Sequence, residues 1–127
     1  MIFLSWYTYS LAYEKLLRRE SDVQLSQHHL MDTFFDSARN LLKELEIHFL
    51  YQRLSDATLL LENLSSSSSL LGFLSLAYKS NRYLTLLAHK QTVDTARCAS
   101  IISDLLVELR RCEQEWFRAR NSLPNTS

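Results

Sequence analysis

Glycine and proline are nearly missing from this chain of 127 residues, which contains one of each, Gly72 and Pro124. Sheet proteins need turn residues at each strand reversal, and glycine-rich phosphate loops need several glycines. Valine and isoleucine, which are typical of strands, together number seven, whereas leucine fills 26 positions. The composition therefore predicts an all-α protein and excludes folds that depend on a sheet or on a glycine-rich phosphate loop.

Charge and cysteine content set limits on the partners and the compartment. Fourteen Lys and Arg balance fourteen Asp and Glu, so no overall field draws the chain to nucleic acid or to an anionic membrane. Cys98 and Cys112 lie fourteen positions apart, or about 21 Å along one helix, which is beyond the reach of a disulfide. Buried, reduced thiols favour an intracellular protein, either cytoplasmic or nuclear.

The first thirteen residues contain no charged side chain, and Glu14 is the first one. This run is too short for a transmembrane helix, which needs about twenty apolar residues, and it lacks the basic region of a signal peptide. Ile2, Trp6 and Tyr9 follow helical spacing, which predicts a buried helix over roughly 2–20. Its abrupt apolar start also suits a fragment or isoform of a longer helical protein.

Apolar residues at helical spacing predict three further segments, over about 27–64, 70–90 and 93–121. A loop is expected at Ser65–Ser69, because serine side chains compete for backbone hydrogen bonds and favour turns over helix interiors. The expected core consists of Trp6, Tyr9, Tyr13, Leu16, Phe34, Ala38, Leu41, Leu45, Phe49, Leu61, Phe73, Leu74, Leu84, Ile102, Leu105, Leu109 and Trp116.

The number of segments and their short connections predict the architecture. We expect one helical domain over 1–122, either an antiparallel bundle of about four amphipathic helices or a short stack of helix hairpins. The serine loop would separate its two halves, and 123–127 would form a flexible tail. The longest segment is either one helix or two helices with a break near Ser55 and Asp56.

The fourth segment carries the most regular apolar pattern in the chain. Seven residues recur at spacings of four and three, which is the heptad seam of a coiled coil. Thr92 is its expected N-cap, with Asp94 in the first turn. The seam consists of Cys98, Ile102, Leu105, Leu109, Cys112, Trp116 and Ala119.

Apolar helix faces that exceed the needs of one small core indicate an interface. Leu59–Leu61 and Leu86–Leu87 project in more than one direction around their helices. We therefore predict a non-enzymatic interaction module, an adaptor, scaffold or complex subunit that binds another protein or a second copy of itself through helix–helix contacts. The residues expected to contact the partner are Trp6, Leu60, Leu87, Leu105, Leu109 and Trp116.

Histidine and carboxylate spacings do not indicate a metal site. His28 with Asp32, and Glu44 with His48, each lie four residues apart on one helix face. A tetrahedral zinc site needs four ligands, and the spacings Glu-x-x-His and His-Glu-x-x-His are both absent from the sequence. The sequence therefore predicts neither a metal nor another cofactor.

Arginines near the end of the fourth segment are interleaved with acidic residues. Because Glu108, Glu113 and Glu115 stand among these arginines, much of the positive charge is compensated locally. The pattern indicates no nucleic-acid face. The arginines are Arg110, Arg111, Arg118 and Arg120.

An enzymatic alternative comes from the stretch Arg82-Tyr-Leu-Thr-Leu-Leu-Ala-His89. Its spacing resembles the Arg-x4–6-His motif of the HEPN ribonucleases, a family of small helical bundles. This resemblance implies an RNA-cleaving site in which Arg82 stabilises phosphate charge and His89 acts as an acid or base. Tyr83 departs from the polar residue that usually follows the arginine in that motif.

A third alternative comes from a short repeat. Ser10-Leu-Ala-Tyr13 recurs as Ser75-Leu-Ala-Tyr78, 65 positions later, which is near twice the ~34-residue period of tetratricopeptide repeats. The stretch from Leu71 to Tyr83 resembles the first helix and turn of such a repeat, and implies a fragment of a larger helical-repeat scaffold. The residues that follow this stretch do not cleanly match the Ala and Pro residues at the later positions of the repeat pattern.

Overall fold

A computed structural model describes the backbone of residues 20–122 and the side chains of residues 27–121. Helices account for most of this range, and no strand occurs in it, so the predicted all-α class is confirmed. The predicted first helix, including Trp6, and the predicted tail at 123–127 lie outside the described residues. The four helices are α1 (Glu20–Leu50), α2 (Leu54–Leu70), α3 (Leu74–Leu87) and α4 (Thr95–Ser122).

The four helices pack as an antiparallel bundle. Each one contacts the helices before and after it in the chain, and α1 also contacts α4, whereas the backbones of the diagonal pairs α1–α3 and α2–α4 do not approach each other closely within the described range. Arg39 of α1 meets Glu113 of α4, and Asp32 of α1 meets Arg120, so α1 and α4 run in opposite directions. The architecture is thus the bundle, the first of the two predicted arrangements.

One continuous core fills the centre of the bundle. The predicted stripe of α1 from Phe34 to Phe49 is buried along its whole length, and so is the seam of α4 from Cys98 to Cys112. Phe73, which precedes α3, stacks on Phe34 with the ring centroids 5.3 Å apart. The most completely buried large side chains are Phe34, Phe35, Leu41, Leu42, Leu45, Leu61, Leu64, Leu76, Leu87, Ile101, Leu105 and Leu109.

The two turns that precede α2 and α3 have the same geometry. In the α1–α2 turn, the Arg53 N–H donates to the carbonyl of His48 at 2.8 Å and the Gln52 N–H donates to that of Phe49 at 3.1 Å. The α2–α3 turn repeats both bonds at the same distances twenty positions later. This pair of bonds is the Schellman motif, which ends one helix, and the next helix begins directly after it.

A Schellman motif needs a left-handed residue, and the two turns supply it differently. Gly72 has a φ of 86°, as expected of glycine, but the matching residue of the first turn is Gln52, with a φ of 54°. The Gln52 carboxamide bonds both backbone groups of Val93: its oxygen accepts from the N–H at 3.0 Å and its nitrogen donates to the carbonyl at 2.9 Å. These bonds tie the turn to the α3–α4 connection and offset the backbone strain. The break in the longest predicted segment is real, but it lies a few residues before Ser55.

The predicted loop at Ser65–Ser69 is wrong, because these residues form the last turns of α2. Ser67 and Ser68 are 4% and 0% exposed, and the Ser65 hydroxyl donates to the carbonyl of Ala77 in α3 at 3.3 Å. Small side chains allow α2 and α3 to lie close together, and their contact is the most extensive in the bundle. The packing of the two helices thus outweighs the local preference of serine for turns.

Two further local expectations are wrong. The carboxylate of Asp94, rather than Thr92, caps α4, and its Oδ1 accepts from the Arg97 N–H at 2.7 Å. Leu74 is 68% exposed and was wrongly placed in the core, because the ring of the preceding Phe73 fills that position.

Replacing Gln52 tests the link between the first turn and the α3–α4 connection. Gln52→Ala removes the side-chain bonds but keeps a Cβ in the left-handed region, so we expect the free energy of unfolding to fall by about 2 kcal/mol. Gln52→Gly removes the same bonds but relieves about 1 kcal/mol of backbone strain, so it should be the more stable of the two. Urea denaturation measures both. Equal stability of the two variants would show that the backbone is unstrained here.

The packing role of the serines can be tested at Ser68. Its hydroxyl has no hydrogen-bond partner among the described residues, so Ser68→Ala should raise the free energy of unfolding by about 1 kcal/mol. Ser66→Ala, at an exposed position of the same helix, is the control for helix propensity and should change it by about 0.5 kcal/mol or less. Ser68→Leu should overfill the α2–α3 contact and cost about 2 kcal/mol. A lower melting temperature for Ser68→Ala than for the wild type would contradict this interpretation.

Candidate functional site

Three of the residues that were predicted to contact a partner lie inside the bundle. Leu87, Leu105 and Leu109 are at most 2% exposed, because the other helices of the same chain cover them. The heptad seam of α4 therefore faces the core of its own bundle from Cys98 to Cys112, whereas Ala119 at its end is exposed. The three leucines offer no accessible surface. Leu60 and Trp116 are half-buried at the edge of the core, and Trp6 lies outside the described residues.

The two residues of the HEPN-like spacing do not share a cavity. Arg82 lines a cleft between α3 and α4, and His89 is not among the residues that line it. His89 is exposed and lies beyond the end of α3, which stops at Leu87. The helical geometry that would set the two side chains on one face is therefore interrupted between them.

The histidines of the described range do not form a ligand cluster. No group of three or more His, Cys, Asp or Glu in the part of the chain that the structure describes is arranged to hold a metal ion. The ring of His28 meets that of Trp116 edge-on, with centroids 5.8 Å apart. His48 Nδ1 lies 3.9 Å from an Asp56 carboxylate oxygen, which is too long for a hydrogen bond.

A buried carboxylate, Glu108, organises the contact between α3 and α4. It is 5% exposed and accepts from the Ser75 hydroxyl at 2.9 Å and from Arg111 Nε at 2.7 Å. The Lys79 ammonium lies 3.3 Å from its other oxygen. One helical turn away, Asp104 accepts from the same Lys79 at 2.9 Å and from the Tyr83 hydroxyl at 2.5 Å. Each oxygen of the two carboxylates therefore has a donor within this network.

The network holds both carboxylates ionised. Burial acts to raise the pKa of the Glu108 carboxyl, but the hydrogen bonds from its partners outweigh it, and that pKa lies below its ordinary value. The hydrogen bond from Tyr83 is the largest influence on Asp104, and the pKa of Asp104 is lowered as well. The pKa of Lys79 is raised, chiefly by its hydrogen bond to Asp104. These groups are therefore charged at neutral pH.

Both cysteines are free and buried. Burial, reinforced by the nearby Glu108 charge, raises the pKa of the Cys112 thiol to about 11. Burial is also the largest cause of the raised pKa of Cys98, followed by the charge of Asp94. Because a thiolate is the reactive form, the two thiols are protonated at neutral pH and are poor nucleophiles, as their place in an apolar seam indicated.

An open apolar groove follows the outer face of the bundle, between the C-terminal half of α1 and the N-terminal half of α4. It has a volume of about 790 Å³. Ile47 and Leu50 line it from α1 and Val107 lines it from α4, with exposures of 50%, 75% and 59%. Buried side chains of the core, Phe49 and Ile102 among them, also line it. The groove is therefore an exposed extension of the hydrophobic core.

The rim of the groove is positively charged at one end. Lys43 and Arg110 lie on opposite rims, each one helical turn from the ion pair between Arg39 and Glu113, which joins the two helices at 3.0 Å. The antiparallel register therefore brings Lys43 and Arg110 to the same level of the groove. Neither side chain forms an ion pair within residues 27–121. Glu46 is the one acidic residue in the lining.

The groove residues were not among the predicted partner contacts. Ile47, Leu50 and Val107 lie beside the buried stripes of their helices and not within them. Their positions in the sequence do not follow the spacing of the buried residues, so the pattern shows that they lie on a neighbouring part of the helix surface. It does not show that α1 and α4 are neighbours, and only this contact turns isolated aliphatic side chains into one groove.

Comparison of the chain with known protein families, with curated proteins and with solved structures found no match in any of the three. Within residues 20–122, no helix combines the length and the apolar character that crossing a membrane requires. Inference about function therefore rests on the surfaces and cavities of this bundle.

The Glu108 network predicts a specific pH dependence of stability. Because the pKa of Glu108 is lower in the folded chain than in the unfolded chain, its contribution is complete above the unfolded value, about 4.3, and is lost as the pH falls through the folded value. Glu108→Gln should cost about 2 kcal/mol of unfolding free energy at pH 7, and the difference from the wild type should shrink below about pH 4.

Urea denaturation between neutral and acidic pH measures this difference. Glu115→Gln is the matched control, because Glu115 also pairs with Arg111 but is exposed; it should cost less than about 0.5 kcal/mol at any pH. A constant difference between Glu108→Gln and the wild type across this pH range would contradict a lowered pKa at Glu108.

Proposed function

We propose that this protein is a non-enzymatic interaction module that binds an amphipathic helix of another protein in the groove between α1 and α4. One observation carries the proposal: Ile47, Leu50 and Val107, each at least half exposed, converge on a single groove that continues the core. Other exposed apolar side chains, such as Leu59 and Leu70, do not line it. Clustered apolar exposure on a small domain is characteristic of a binding surface.

The dimensions of the groove suit a helix. Its lining extends from Lys43 to Leu50 along α1 and ends at Gln52 in the following turn, and the helical part corresponds to about 10 Å, or about two turns. A bound helix of this length presents apolar side chains at positions i, i+3 or i+4, and i+7. The parallel walls formed by α1 and α4 leave room for a third helix to pack against both.

The charge of the rim indicates the chemistry and the orientation of the partner. Lys43 and Arg110 line one end of the groove from opposite helices, with Glu46 one turn further along α1, whereas the lining at the other end, near Leu50 and Thr95, is uncharged. A partner helix with acidic residues at the matching end complements this arrangement. We therefore infer that the partner is an amphipathic helix with acidic residues at the end that lies between Lys43 and Arg110.

The two alternative functions receive less support from the structure. A ribonuclease site needs an acid or base close to the arginine, and His89 does not line the cleft that holds Arg82. In a helical-repeat array each unit contacts only its neighbours in the chain, whereas here the first and last described helices contact each other and close a bundle.

Helical peptides of about 18 residues, or five turns, test the groove. Two peptides with the same leucine stripe, one with glutamates and one with lysines at one end, are titrated by fluorescence anisotropy. The glutamate peptide should bind at least about tenfold more tightly, and Ile47→Glu should weaken its binding by about tenfold or more. Leu59→Glu is the matched control, since Leu59 is 58% exposed on α2 and lies outside the groove. Equal effects of the two substitutions, or equal binding of the two peptides, would overturn the proposal.

The identity of the occupant is tested with a photo-crosslinking amino acid in place of Val107 in the full chain. Mass spectrometry should find a crosslink to the glutamate peptide, and sedimentation of the free chain should show a monomer. A dimer that Ile47→Glu dissociates would assign the groove to a second copy of the chain. A crosslink to residues 1–19 of the same chain would assign it to that segment, and either result would overturn a partner helix as the occupant.

A further inference from the structure

A second cavity lies on the other side of α4, between α4 and the C-terminal part of α3. This cleft has a volume of about 750 Å³, within the range of small-molecule sites. The Lys79–Asp104 ion pair joins the two helices next to it, and beyond the cleft the chain passes through the connection 88–94 between α3 and α4. The lining consists of Tyr78, Asn81, Arg82, Tyr83, Thr85 and Leu86 from α3, and Ala96, Arg97, Ser100 and Ile101 from α4.

The charge of the cleft lining is positive, although Asp104, which is not part of the lining, interacts electrostatically with Arg82. Its only charged side chains are Arg82 from α3 and Arg97 from α4, and no carboxylate lines it. Neither guanidinium forms an ion pair or a side-chain hydrogen bond within residues 27–121. The carboxylates nearest in the chain are already engaged, because Asp104 binds Lys79 and Tyr83 and Asp94 caps α4. An anion in the cleft would therefore meet two guanidiniums and no carboxylate among the lining residues.

We propose that this cleft binds a phosphate monoester, with the phosphate between Arg82 and Arg97 and the organic part against the apolar wall. A guanidinium presents paired N–H donors that match two phosphate oxygens, and a phosphate dianion balances two guanidiniums. The carboxamide of Asn81 and the hydroxyl of Ser100 add polar groups to the lining. Leu86 supplies an apolar surface.

An aromatic body on the ligand fits the remaining wall. The side chain of Tyr78 is 69% exposed and lines the cleft, so one ring face is available for stacking. The second tyrosine, Tyr83, is fixed by its bond to Asp104. A mononucleotide combines a phosphate monoester with a flat ring and is therefore the probe for this site. The lining, the charge and the exposed tyrosine of this cleft are separate from the observations that support the groove between α1 and α4.

Titration of the full chain with adenosine 5′-monophosphate, inorganic phosphate and adenosine tests the proposal. Chemical shifts of the Ser100 and Ile101 amides report binding. The nucleotide should bind saturably and at least about tenfold more tightly than inorganic phosphate or adenosine. Arg82→Ala and Arg97→Ala should each weaken nucleotide binding about tenfold or more, and Arg82→Lys should restore only part of it, since lysine lacks the paired donors. Tyr78→Ala should weaken nucleotide binding but leave inorganic phosphate binding unchanged.

The control is Arg118→Ala, which removes the same charge from an exposed position near the other end of α4 and should leave nucleotide binding unchanged. An equal loss in Arg118→Ala and Arg97→Ala would show non-specific attraction and overturn the site. Absence of saturation by about 10 mM nucleotide, or equal affinity for nucleotide and inorganic phosphate, would overturn the ligand class. Tighter binding of a single-stranded RNA than of the nucleotide would overturn the small-molecule assignment in favour of a nucleic-acid surface.

Discussion

The contact between α1 and α4 is the constraint on which the rest of this bundle depends. Without it, the seam of α4 and the apolar stripe of α1 would each face water along one side, and the four described helices would form an open array in which each contacts only its neighbours in the chain. The contact buries both stripes, and Arg39 with Glu113 sets their register at the surface. It also creates the outer groove, since Ile47 and Val107 come together only when the first and last described helices are neighbours.

The two flanks of α4 are built by different physical means. Towards α1, burial of leucine and phenylalanine dominates, and the exposed edge of that contact is apolar. Towards the short helix α3, the buried Glu108 and its donors join the two helices, and the cleft at the exposed edge of that contact carries two arginines. A desolvated carboxylate is tolerated because hydrogen bonds from several donors offset the cost of burial. One helix therefore separates an apolar groove, suited to a helix, from a cationic cleft, suited to an anion.

Backbone strain and unpaired polar groups are concentrated where helices must approach each other. Gln52 adopts a conformation that favours glycine and is held there by the backbone of Val93. Ser67 and Ser68 place hydroxyl groups in a dry contact because nothing larger fits between α2 and α3. In both places an unfavourable local feature, a strained backbone or an unpaired hydroxyl, is offset by the contacts that it allows between distant parts of the chain. Such a balance is usual, because the net stability of a domain is a small difference between large opposing contributions.

Composition and periodicity together determined that this chain is helical and which stripes of α1 and α4 are buried, because these properties depend on the residue types and on their spacing along one helix. The tertiary structure decided where the serines lie, which helix covers Leu105, and that Ile47 and Val107 share a groove. A sequence pattern states which side of a helix is apolar, but not which helix lies against it. The groove and the cleft are spaces between helices distant in the chain, so they exist only once the bundle closes.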